Sequence, residues 1–309
     1  MTVSLIERVK KLGIAFEENL PLSQYTTFRV GGKCPLAVFP ENAAECSAVL
    51  AILNEEHAPY FVLGNGSNIL ASDRGYSGVL IMTERMRRIS CEKTRIRCGA
   101  GVSLSKFCSF ALENGLSGAE FAWGIPGSVG GAVYMNAGAY GGEISDIIES
   151  CTFLDGHGKV CTLTADKLEL SYRHSLFTGS GYVILEAVFS LKQARSKEIK
   201  AKMDDYITRR TLKQPLDKPS AGSTFKRPKG AYAAALIEQC GLKGYGIGGA
   251  RISEKHGGFI VNEDHATAAD ITALIQTVQK TVESKTGFRL SCEVIPLGFL
   301  PEESVPWTF

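Results

Sequence analysis

Residues 122–142 read Ala-Trp-Gly-Ile-Pro-Gly-Ser-Val-Gly-Gly-Ala-Val-Tyr-Met-Asn-Ala-Gly-Ala-Tyr-Gly-Gly. A solvated linker would be polar, yet Trp123, Ile125, Val129 and Val133 sit among these glycines and favour burial. Glycine-rich backbone is costly to bury unless a ligand uses it. Missing side chains let backbone amides approach a pyrophosphate, and apolar neighbours suit a flat ring system. Close backbone packing or an Ω-loop is the purely structural alternative.

A second cluster, Val62-Leu-Gly-Asn-Gly-Ser-Asn-Ile-Leu70, directly follows an apolar run at residues 60–63. It opens like a dinucleotide fingerprint, but Ile69 stands where G-x-G-x-x-G requires its third glycine, and no amphipathic helix pattern follows. A Rossmann reading fails here. Gly64 and Gly66 still permit a tight turn whose amides, from Asn65 to Asn68, can converge on an anion, with side-chain donors from Ser67 and Asn68. Taken alone, this segment is better explained as a plain hairpin-like turn. No G-x-x-x-x-G-K-[ST] run occurs, which argues against ATP hydrolysis.

Around these clusters, short strands alternate with helices. Leu36–Phe39 reads as a strand, Asn42 caps a helix to about Glu56, and residues 60–63 form the next strand, which together make a β-α-β unit. Strands are expected at 78–82, 94–98, 151–154, 159–163 and 182–192, and Ser103 begins a helix ended by Asn114-Gly115. Residues 196–211 then form a charged amphipathic helix with Ile199, Met203, Tyr206 and Ile207 inward, before a proline-bearing break at 213–219. A domain boundary is placed near 195. Beyond it come helices at 231–240 and 268–284, with strands at 258–262 and around 292–297.

The chain has 309 residues, about two domains' worth, with 34 basic against 32 acidic side chains and a net charge of +2. That balance offers no basic excess for nucleic acid, and the clusters at 85–88 and 226–229 are short. No apolar run approaches the ~18 residues of a membrane span, and residues 1–13 show an amphipathic helical pattern rather than a leader. The 9 cysteines form no C-x-x-C pair and the 5 histidines show no ligand spacing, so no metal site is expected. Reduced thiols, mostly in apolar runs, fit a cytoplasmic protein. Glycine, at 33 residues, exceeds its usual ~7% share.

Three polar constellations could carry chemistry. Tyr172 and Arg173 precede the strand at 182, where an arginine fork could hold a carboxylate. Ser223 follows a glycine in Ala221-Gly-Ser-Thr-Phe-Lys226, and Glu293 lies within the apolar strand pattern at 292–297, where a carboxylate is expensive unless paired or used. Each has an ordinary structural alternative: a surface cation, a turn cap, an outward strand residue.

Taken together and in order, residues 26–32 (Thr-Thr-Phe-Arg-Val-Gly-Gly), 63–68, 124–132, 136–141, 172–175, 221–226, 241–244, 253–262 and Glu293 resemble the UDP-N-acetylenolpyruvoylglucosamine reductase family, across about residues 20 to 298. The resemblance implies an α+β chain. Its FAD-binding domain would be of the vanillyl-alcohol-oxidase (PCMH) type, in two lobes at 1–80 and 81–195. A separate α+β substrate domain would occupy 196–291, and a strand near 292–309 could return to the first lobe. It implies non-covalent FAD, NADPH as hydride donor, an enolpyruvyl sugar nucleotide as acceptor, and a monomer serving cell-wall synthesis. Flavin binding maps onto Gly64, Asn65, Gly66, Ser67 and Asn68, and onto Gly124, Ile125, Pro126, Gly127, Ser128, Gly130, Gly131 and Ala132. Arg173 and Glu293 would flank the substrate carboxylate, and Ser223 would protonate C2 after hydride reaches C3. Tyr172, Lys213, Lys226 and His256 would hold phosphates and carboxylate.

The sequence departs from longer members in two places. Only residues 178–181 separate the Arg173 motif from the strand at 182, so the tyrosine loop that covers the substrate there is absent, and Arg227 replaces a polar amide. Another FAD oxidoreductase of the same fold, acting on a small alcohol or hydroxy acid, is the competing reading; it would keep the glycine clusters without needing Ser223 or Glu293.

Overall fold

In the computed structural model, which describes residues 3–300, the first elements are α1 (Val3–Lys10), β1 (Phe16–Pro21), β2 (Lys33–Val38), α2 (Ala43–Glu55), β3 (Tyr60–Leu63), β4 (Ile69–Ala71) and β5 (Val79–Met82). There follow β6 (Ile89–Glu92), β7 (Arg95–Gly99), α3 (Leu104–Glu113), β8 (Leu116–Ser117), α4 (Val129–Tyr134), β9 (Gly138–Ala139) and β10 (Gly142–Glu143). Next are β11 (Ile148–Leu154), β12 (Val160–Thr164), β13 (Val183–Ser190), β14 (Lys192–Gln193) and α5 (Ser196–Lys213). The last are α6 (Ala233–Gln239), β15 (Gly246–Ile247), β16 (Ala250–Ile252), β17 (Ile260–Asn262), α7 (Ala268–Thr286) and β18 (Ile295–Leu297).

The chain forms two compact units, residues 1–18, 35–65 and 78–210 in one, and 19–34, 66–77 and 211–309 in the other. In the first unit β2, β5 and β3 run parallel, and β1 completes the sheet order β1-β2-β5-β3. Each residue of β5 is buried, as a parallel strand covered on both faces requires. α2 makes the crossover between β2 and β3; the Asn42 side chain accepts from Glu45 N, as its position in the sequence led us to expect. The second sheet of this unit is antiparallel, in the order β12-β11-β13-β7-β6. Its central strand β13 ends at Ser190, and Lys192–Gln193 pairs separately with β8, so the run read as one strand over 182–192 is broken. Cys98, Phe107, Val129, Val133, Cys151 and Phe189 belong to the core of this unit.

The second unit packs α7 and α6 with the small sheet β15-β16-β17, and β18 pairs parallel with β4, Ile295 opposite Ile69. Its core joins Phe28, Val30 and Leu70 to Ile271, Leu274, Ile275 and Val278 of α7, the residues that the helical period placed inward. The helix begins with a Thr267–Asp270 capping box, and its Ala268 and Ala269 amides donate to the Asp73 carboxylate. It stops at Gly287, whose φ of 77° is the left-handed cap a side chain would strain.

The limits drawn from sequence were contiguous, whereas these units are interleaved. The first continues through α5 to Arg210 rather than ending near 195, because Ile199 and Met203 of that helix are buried in its core. Residues 19–34 and 66–77 join the second unit, because Phe28 and Leu70 fill its core and β4 is the partner of β18. The C-terminal strand is Ile295–Leu297, and its partner β4 lies in the second unit rather than the first; residues 301–309 of the expected return lie outside the described residues.

Candidate active site

Within the first unit the two glycine clusters meet. A Cβ on Gly64, just after β3, would lie 2.5 Å from the Ser128 Oγ, so a side chain there would displace that hydroxyl. Ser128 is buried and caps α4, its hydroxyl accepting from Gly131 N at 3.3 Å. Gly130 N donates to Ala100 O at 2.8 Å, and a Cβ there would meet the Ala100 Cβ at 2.9 Å. The glycine-rich segment from Gly124 to Ala132 ends in a helical turn at Val129, Gly130, Gly131 and Ala132, preceded by the half-buried Ile125, the exposed Pro126 and the half-buried Gly127. Gly124 has φ 82°, and a Cβ would lie 2.8 Å from Ile207 Cδ1 of α5.

Asn65 is exposed at the end of the first unit's part of the turn, while Gly66, Ser67 and Asn68 belong to the second. Gly66 has φ 59°, and a Cβ would meet Tyr25 O at 2.0 Å. Its carbonyl accepts from Thr27 N at 3.2 Å, and the buried Thr27 Oγ1 has no hydrogen-bond partner among the described residues. A backbone cradle closed to side chains and an orphaned buried hydroxyl fit a polar dinucleotide group.

Arg173 lies at the tip of a tight turn in the first unit, where Ser171 and His174 exchange backbone hydrogen bonds of 3.1 Å each. Arg173 has φ 55°, and its guanidinium lies 5.1 Å from the Tyr172 ring centroid. Tyr172 is half-exposed. Sequence reasoning gave no role to three side chains nearby. Asn136 is fully buried and donates to Ser171 O at 3.1 Å. Tyr140 stacks on Tyr206 of α5 with centroids 4.5 Å apart, and the buried Arg210 guanidinium lies 5.7 Å from the Tyr140 ring. Burial lowers the Arg210 pKa, with Tyr140 opposing that shift.

In the second unit, residues 224–226 and 291–293 form a short ladder. Glu293 N donates to Thr224 O and Lys226 N to Ser291 O, each at 2.8 Å, around a Phe225–Cys292 bridge. Glu293 therefore precedes β18 instead of lying within a strand, as its apolar neighbours had implied. Asn68 Nδ2 donates to Glu293 O at 3.0 Å, and Ile295 N to Asn68 O at 2.9 Å. Ser223 follows Gly222, which has φ 75°, and its Oγ donates to Phe225 O at 3.3 Å. A Cβ on Gly258 would lie 3.1 Å from His256 Cε1 and 3.4 Å from Ser223 Oγ, so the glycine lets imidazole and hydroxyl converge. Ser223, Lys226, His256, Glu293 and Asn68 thus belong to one locality of this unit. Lys213 is exposed at the C-terminus of α5.

His256 Nδ1 accepts from Gly258 N at 3.1 Å. Burial holds its pKa below the usual 6.5, with Lys243 acting the same way and Glu238 opposing. The ring therefore favours its neutral form at pH 7. Burial pushes the Cys292 thiol up to about 12, which keeps it a packing residue beside the ladder.

An FAD binding domain family matches residues 35–164, and the family described as UDP-N-acetylenolpyruvoylglucosamine reductase, C-terminal domain, matches 214–297. A UDP-N-acetylenolpyruvoylglucosamine reductase from Clostridium novyi is 47% identical over 282 residues, 91% of this chain and 92% of that one. One from Geobacillus thermodenitrificans is 45% identical over 293 residues, 94% and 96% of the two chains. The crystal structure of UDP-N-acetylenolpyruvylglucosamine reductase from Thermus caldophilus superposes with a TM-score of 0.78 at 33% identity, covering 92% of this chain and 98% of that one. An alkyldihydroxyacetonephosphate synthase, 14% identical with a TM-score of 0.50 over 62% of this chain, shares the fold alone. The α+β architecture with an FAD-binding domain of the vanillyl-alcohol-oxidase type agrees with these likenesses.

Proposed function

Because this chain belongs to the UDP-N-acetylenolpyruvoylglucosamine reductase family of FAD-dependent oxidoreductases, we propose that it reduces UDP-N-acetylglucosamine enolpyruvate to UDP-N-acetylmuramate with NADPH in the cytoplasm. The parallel sheet and the antiparallel sheet of the first unit would be the two lobes around the cofactor. Gly64, the turn from Asn65 to Asn68, and Gly124 to Ala132 would supply its amide cradle, and Thr27 Oγ1 an added hydrogen bond. When bound there, the flavin would supply two-electron hydride chemistry between NADPH and the enolpyruvyl carbon C3.

Hydride addition at C3 drives negative charge onto C2 and its carboxylate, so the residues around that carboxylate decide the second half-reaction. Arg173 would hold the carboxylate through its planar fork. Glu293 would stabilise the intermediate beside the carboxylate, and Ser223 would deliver one proton to C2. A hydroxyl is a weak acid, but a carbanion is basic enough to take its proton. Lys213, Lys226, Tyr172 and neutral His256 would bind the diphosphate and carboxylate. The observation that carries this reading is the ladder of residues 224–226 with 291–293, which draws Ser223, Lys226 and Glu293 together from opposite ends of the second unit's sequence.

Separating the half-reactions tests it. Ser223→Ala should leave flavin reduction by NADPH intact while slowing reoxidation by the enolpyruvyl sugar nucleotide by about 10²–10⁴-fold, the usual worth of a positioned proton donor. Equal loss in both halves would make Ser223 structural. Glu293→Ala should show the same asymmetry.

A further inference from the structure

We propose that Asn136 is a positioning residue for the second half-reaction, acting through Arg173. The inference rests on the role given to Arg173 above. Asn136 is the only asparagine among the fully buried polar residues of the described chain, with no exposed surface, and it has φ 41°, in the left-handed region. Such a conformation persists where the surroundings over-determine it. Here both ends of its amide are used. Oδ1 accepts from Ser145 N at 2.9 Å and Nδ2 donates to Ser171 O at 3.1 Å.

Ser171 is the first residue of the four-residue turn that carries Arg173 at its tip. The other side of that turn is also fastened: the fully buried Ser175 donates through Oγ to Tyr134 O at 2.7 Å, and Phe177 N donates to the Ser175 Oγ at 3.3 Å. Residues 134 and 136 at the end of α4 therefore grip residues 171 and 175 on either side of the arginine. Arg173 Nη2 lies 3.5 Å from Gly138 O, and its guanidinium 5.1 Å from the Tyr172 ring centroid. The guanidinium projects from the tip of a turn whose base is held on both sides, so loosening that base moves the arginine. Because α4 is also where the glycine-rich segment ends, the same short helix fixes the cradle and the turn.

Asn136→Gly retains the backbone conformation while deleting both side-chain hydrogen bonds, and Ser175→Ala deletes the second tether. Each is assayed as the full-length flavoenzyme after a melting curve confirms folding. We expect NADPH to reduce the flavin at the wild-type rate. Reoxidation by the enolpyruvyl sugar nucleotide should fall by about 100-fold, the cost of misplacing a reacting geometry by ~1 Å. Introduced into Arg173→Ala, neither substitution should slow reoxidation further, since the pathway to the substrate is already removed. Additive losses in that background, equal losses in both half-reactions, or no loss would overturn the inference. Failure of the wild-type enzyme to be reoxidised would instead overturn the reading of the reaction on which it rests.

Discussion

His256 shows how one residue's surroundings decide its chemistry. Its folded pKa is depressed by burial, with Lys243 adding to the effect, so the neutral ring is the form the fold prefers. The stability it confers is fully present above the unfolded value of about 6.5 and is lost as pH falls through the lower folded value. Urea midpoints should therefore decline between pH 7 and pH 5 more steeply for the wild type than for His256→Asn, which keeps an acceptor near Gly258 N but cannot titrate. Parallel profiles would remove His256 from the account. At this scale motifs brought Arg173, Ser223, Lys226 and Glu293 into the proposed site. Asn136 and Thr27 also stand in motifs, at 136–141 and 26–32, but nothing there singled out their side chains, and Arg210 carried no signal of its own. A bond between Asn136 and Ser171 spans 35 positions, and neither the propensity nor the period of either segment predicts it.

At the scale of elements, the glycines make a sharp contrast. Gly66→Ala places a Cβ 2.0 Å from a backbone oxygen at positive φ and should destabilise the protein by roughly 1–3 kcal/mol. Gly64→Ala meets only the Ser128 hydroxyl, which can rotate away at the cost of its cap, about 1 kcal/mol. Urea titration should rank the two in that order, and Gly64→Ala should lose flavin during gel filtration while staying folded. A larger stability loss at Gly64 would contradict this reading. Helices α2, α3 and α7 were legible because caps and apolar period agree. The turn of α4 was not, since Val-Gly-Gly-Ala has no helical propensity of its own and is held by Ser128 and the Ala100 and Val102 carbonyls. Glu293 was placed inside a strand for the converse reason: its apolar neighbours are buried by tertiary packing, not by a sheet.

For the whole molecule, the charge balance carries no basic excess, and no helix among the described residues is long and apolar enough to cross a membrane. Two units were legible, but their interleaving was not. Residues 19–34 and 66–77 carry no boundary signal, and they belong to the second unit because Phe28, Val30 and Leu70 complete its core. The same interleaving places the turn's Gly64 and Asn65 in one unit and Gly66 to Asn68 in the other. The central claim is that a flavin reduced here by NADPH is consumed by an enolpyruvyl sugar nucleotide. The direct measurement is anaerobic and follows the flavin's visible band in the purified enzyme, first with one equivalent of NADPH and then with UDP-N-acetylglucosamine enolpyruvate. The account predicts that the band bleaches and then returns, with one UDP-N-acetylmuramate formed per flavin; a band that stays bleached after the sugar nucleotide is added would contradict it.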